Sequence, residues 1–120
     1  MIVPQNQNYM EVNLGGQLRK VKMGMATYQK VATWLLEDPQ GIFNPVTRPL
    51  KAVFFGLQHS ANNLPKDFNE ETLMDWIDDM EQSEWDALEV FAEESMGFML
   101  ATINQKAERM ENLMQTMEKK

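Results

Sequence analysis

The sequence predicts a mainly α-helical protein, a single four-helix domain led by a short β-hairpin (α+β at most). Three observations carry this. Apolar residues recur at three- and four-residue intervals over most of the chain from Met25 onward. Gly15-Gly16 joins two short runs rich in alternating apolar residues, and a two-glycine turn tolerates the positive φ that a tight hairpin demands. Helix-stopping groups then divide the remainder: Asp38-Pro39, Asn62-Asn63 ahead of Pro65, and Gln82-Ser83. At 120 residues the chain suffices for one domain with one apolar core.

Residues 1–8 read as a flexible arm, 9–23 as the hairpin and 25–118 as helix. In the first arm of the hairpin Met10, Val12 and Leu14 share a face. In the second, Leu18 falls on one face and Val21 and Met23 on the other, a change of phase that predicts a bulge or a shifted register. Helix one is predicted over 25–37 with Met25, Tyr28, Val31, Ala32 and Leu35 along its apolar side. A loop over 40–47 is anchored by Ile42, Phe43 and Val46. Helix two is predicted over 48–62, with Pro49 in its first turn. Helix three runs over 70–81, capped by Asn69 and with Glu70 and Glu71 against its amino-terminal dipole. Helix four runs over 84–117, with Ser83 and Asp86 as its capping pair. The predicted core is Leu35, Val53, Phe54, Leu57, Leu73, Ile77, Leu88, Phe91 and Ile103.

Helix four is too long for its domain. From Ser83 to Glu118 it would span ~54 Å at about 1.5 Å per residue. A compact chain of this length has a radius of gyration of only ~14 Å and a width of about 35 Å. Its last turns must project, fray, bend near Gly97 or pack on another molecule. Together with the hairpin edge, this predicts a homo-oligomer, with Met10, Val12, Leu18 and Val21 as candidate contacts on the hairpin and Met96 to Met117 on the helix.

Charge is distributed unevenly. Residues 67–94 hold twelve carboxylates and no lysine or arginine, whereas residues 19–66 hold seven basic residues against Glu37 and Asp38. The overall charge of −7 argues against nucleic acid as the main partner, because phosphate binding needs a basic face. The amino-terminal run lacks the basic and apolar regions of a secretory signal, and no apolar stretch approaches the ~20 residues that cross a bilayer. No cysteine is present, so disulfide and thiolate chemistry are excluded.

Little in the sequence points to catalysis. The one histidine, His59, has no serine–acid arrangement around it and reads as a helix carboxy-terminal cation or a surface residue. Glu71, Asp75 and Asp79 recur every four residues along one helix face, yet no calcium-loop pattern or histidine partner accompanies them. They read as a solvated face or as a contact for the basic half. No enzyme, metal or cofactor is predicted. The eleven methionines, five of them between Met96 and Met117, suit either an irregular core or a surface that accepts varied partners. On the second reading Trp76, Trp85, Met96, Met99, Ile103, Met110 and Met114 are the candidate partner-binding residues.

The order of elements carries a resemblance. The hairpin EVNLGGQLRKVKMG (residues 11–24), the helix MATYQKVATWLLEDP (residues 25–39), and then a loop and acidic amphipathic helices resemble the tail assembly chaperones of long-tailed bacteriophages. The likeness spans residues 9–104 in organisation, and Met96 to Lys120 has no counterpart in it. It implies a mainly helical, oligomeric protein of the bacterial host cytoplasm that binds the tape measure protein. Such a chaperone keeps that long helical client soluble during tail assembly. Two other readings compete: an acidic regulatory protein that mimics nucleic acid, and a structural component of the virion. An ordered array of carboxylates with few apolar contacts would favour the mimic, whereas the apolar interleaving here favours a helix-binding chaperone.

Overall fold

The structure, a computed structural model, describes residues 8–58 and 62–118. It is mainly α: four α-helices follow an amino-terminal antiparallel hairpin among the described residues. Strand β1 (Tyr9–Leu14) pairs with β2 (Gln17–Lys22), Tyr9 opposite Lys22 and Leu14 opposite Gln17. Gly15 and Gly16 take φ of +64° and +79°, the left-handed values that a side chain resists. Gly15 is fixed a second way, since a Cβ there would run into the indole of Trp76.

The hairpin contains no bulge. Its register is regular throughout, and the change of phase has a different cause. Arg19 occupies the inward slot opposite Val12, while Leu18 points outward at 63% exposure. The Arg19 guanidinium lies 4.4 Å from the centre of the Trp76 ring, and its Nη1 donates to the Leu14 carbonyl. Nε of Arg19 is buried with no hydrogen-bond partner among the described residues. An arginine whose planar head stacks on an indole can fill an apolar site that its type does not announce.

Helix α1 (Met25–Glu37) turns Thr27, Val31 and Trp34 into the core, and Met25 is left 72% exposed. The inward stripe is therefore rotated from the predicted one. A 3-10 turn over Pro39–Phe43 replaces the expected loop. Asp38 closes its start by accepting from Gly41 N, and Ile42 packs against the core. Phe43 and Val46 stay exposed and anchor nothing.

Helix α2 (Thr47–Leu57) packs on α1, β2 and the last helix. It approaches the hairpin closely because Gly56 has no side chain: a Cβ there would lie 2.8 Å from Val21 Cγ1. The helix stops five residues before the predicted end. Asn62 is buried, and its amide accepts from Lys20 N at 2.8 Å and donates to Lys20 O at 2.7 Å and Leu57 O at 2.9 Å. One side chain thus acts as a short extra strand on the free edge of β2 and satisfies a terminal carbonyl of α2.

Helix α3 (Glu70–Asp78) starts as predicted, with the Asn69 side chain accepting from Thr72 N at 2.9 Å, and ends three residues early. Helix α4 (Gln82–Glu118) begins before Ser83, and Asp86 accepts from Gln82 Nε2 instead of forming a cap with Ser83. Leu88, Ala92, Met96 and Met99 of α4 complete the core with Val12, Leu14, Val21, Val31, Val53, Leu57 and Leu73. Of the predicted core, Leu35, Phe54, Ile77 and Phe91 are only partly buried against this cluster, and Ile103 lies beyond it. No residue of α4 past Met99 is buried among those described. The helix projects, giving extents of 60 × 39 × 27 Å and a radius of gyration of 16.6 Å.

Candidate functional site

At Arg48 and Lys51 the basic half meets the acidic one. Arg48 of α2 makes a two-pronged contact with Glu93 of α4, Nε to Oε2 at 2.7 Å and Nη2 to Oε1 at 2.9 Å. That bond raises the Arg48 pKa further above its ordinary value. Lys51 pairs with Glu70 at the start of α3. Glu71, Asp75 and Asp79 are exposed. Among the described residues no group of three or more acidic or histidine side chains is placed to hold a metal ion. His59 lies outside the described residues.

Aromatic rings form a continuous row that the sequence did not announce. Trp34 meets Phe55 edge-on at 6.5 Å, Phe55 meets Phe54 at 5.8 Å, Phe54 stacks on Phe68 at 5.4 Å, and Phe68 meets Trp76 at 5.2 Å. Arg19 covers its far end. The row ties α1, α2, α3 and the hairpin together, so Trp76 is a structural ring here. Its residues are scattered across four segments, and only tertiary packing brings them into line.

Among the clefts of the described residues, two border α1. One, of about 560 Å³, lies between α1 and α2 over Trp34, Phe54 and Phe55. Its cations are already engaged: Lys51 pairs with Glu70, and Lys30 Nζ donates to Gln58 Oε1 at 2.8 Å. The other, of about 520 Å³, lies between α1 and α4. Met25, Tyr28 and Ala32 line it from α1, and Thr102, Ile103 and Lys106 from α4. Part of the α1 face expected to enter the core lines this cleft instead. Burial also pushes the Tyr28 phenol above its ordinary pKa.

The candidate partner-binding residues do not gather into one groove. Met96 and Met99 are fully buried and belong to the core. Trp76 and Trp85 are half-buried against it. Ile103 lines the α1–α4 cleft, whereas Met110 and Met114 stand exposed on the projecting end of α4. The hairpin candidates divide similarly. Val12 and Val21 are core residues, while Met10 and Leu18 line a smaller cleft of about 350 Å³ against the start of α4. Among the described residues no helix is long and apolar enough to cross a membrane. Comparison with protein-family models, curated proteins and solved structures found no match to this chain.

Proposed function

We propose that this protein is a non-catalytic chaperone that holds an amphipathic helical client, in the manner of a tail assembly chaperone acting on a tape measure protein in the bacterial host cytoplasm. The observation that carries the reading is the α1–α4 cleft. It is apolar along Met25, Tyr28, Ala32 and Ile103, and it opens where α4 leaves the body of the molecule. A client helix offers side chains at three- and four-residue intervals, which suits a seat formed between two helices. The acidic surface of α3 and early α4 supports the reading by keeping a complex with an apolar client in solution.

Co-expression with a long helical client such as a tape measure protein tests this. The client should stay soluble with the native chain and precipitate with Ala32→Arg, which fills the cleft at a half-buried position. Circular dichroism checks that the variant stays folded. Raising salt from ~50 to ~500 mM should weaken capture only modestly, because apolar burial is not screened. A client equally soluble without this chain would remove the proposal. Capture that vanishes at high salt and ignores Ala32→Arg would favour the acidic mimic.

A further inference from the structure

We infer that the projecting end of α4 pairs with the same segment of a second copy of this chain, as a parallel two-stranded coiled coil. The apolar spacing changes where the helix leaves the core. Its buried residues Leu88, Ala92, Met96 and Met99 follow intervals of 4, 4 and 3, the pattern of a helix packed on its own domain. From Leu100 the intervals become 3, 4, 3, 4 and 3 through Ile103, Ala107, Met110, Met114 and Met117. That is an unbroken period of ~3.5, which keeps one seam facing a partner helix. Leu100 and Ile103 are half-buried where the seam begins, but Met110, Met114 and Met117 are 58%, 57% and 66% exposed, so the described chain leaves that stretch of the seam uncovered.

Charge selects the occupant and its direction. Lys106 and Glu111 flank the seam on opposite sides, five residues apart. In a parallel, in-register pair Lys106 of one copy faces Glu111 of the other, and symmetry repeats the contact. Antiparallel pairing would turn the Glu111 flank onto itself and leave Lys106 facing the Leu113 flank. Ala107, the smallest side chain of the seam, lets the two helices approach closely. The outward positions Gln105, Glu108, Arg109 and Asn112 are all polar, as solvent requires.

This inference does not rest on the client reading. Ile103 and Lys106 border the α1–α4 cleft as well as the seam, whereas Met110, Glu111, Met114 and Met117 lie off it, so Ala32→Arg should leave pairing through Met110 to Met117 intact. Light scattering at ~50 μM should give twice the 13.9 kDa mass of the chain. The chain has no cysteine, so Met110→Cys and Met117→Cys can be oxidised as separate single variants. Parallel pairing predicts that each forms a covalent dimer. Glu111→Lys should raise the dissociation constant about tenfold by setting lysine against lysine, and adding Lys106→Glu should restore it. These side chains lie beyond the core, and circular dichroism confirms the fold of each variant. A 13.9 kDa species at every concentration would overturn the inference and leave the seam to a helical client. Cross-linking at 110 without 117, or no rescue by the double charge swap, would overturn the parallel arrangement.

Discussion

Arg19 and Asn62 illustrate how much of this fold rests on single polar side chains in apolar positions. Asn62 is 4% exposed and closes both the edge of β2 and the end of α2. Removing its amide strands the Lys20 backbone groups, so Asn62→Ala should cost about 2–3 kcal/mol in urea denaturation. A cost under ~0.5 kcal/mol would contradict the edge-closing role. The two turn glycines separate backbone strain from crowding. Gly16→Ala meets only the positive-φ penalty, about 1 kcal/mol, because nothing stands within 4 Å of its Cβ. Gly15→Ala adds a collision with the rigid Trp76 indole and should cost clearly more in the same experiment. Equal costs would mean that Trp76 does not pack on the turn. The turn itself was legible from Gly15-Gly16. The inward arginine was not, because residue type argued for the outer face and only the stacked indole makes the inner one favourable.

At the level of elements, spacing located every helix and misjudged several ends. The α3 start was readable from Asn69, since a cap is a local hydrogen bond between near neighbours. The α2 end was not, because Asn62 reaches a strand more than forty residues away in sequence. Apolar residues likewise continue at helical spacing past Met99, and their change of interval from Leu100 does not by itself show that full burial ends there. The projecting half of α4 should therefore contribute little to the stability of the body. A chain ended after Lys106 should melt within about 3 °C of the full chain at low micromolar concentration, while losing helical ellipticity. A large fall in melting temperature would show that the end folds back onto the domain.

Across the whole molecule, repulsion within the acidic face competes with attraction between the charged halves. The side chains of the Arg48–Glu93 and Lys51–Glu70 pairs are 22–34% exposed, and such pairs contribute roughly 0–1 kcal/mol each. Against them stand like-charged neighbours one turn apart: Glu71 with Asp75, Asp75 with Asp78, Asp86 with Glu89, and Glu89 with Glu93. Each opposes its helix by about 0.2–0.5 kcal/mol, and the net charge of −7 adds longer-range repulsion. Sodium chloride at ~0.5 M screens both effects, and repulsion is the larger. The urea midpoint should therefore rise between ~20 mM and ~500 mM salt. A fall would mean that the two ion pairs dominate.

The sequence by itself determined the mainly helical class, the hairpin, the position of each helix and the excess length of the last one. All of these follow from turn chemistry and periodicity among near neighbours. Tertiary structure alone decided that Arg19 faces inward and that Asn62 closes a strand edge. It also decided that Met96 and Met99 belong to the core and that Ile103 lines a cleft. Periodicity shows which residues share a face of a helix. What that face meets depends on distant segments, and the same apolar stripe can enter a core, border a cleft or stand in water.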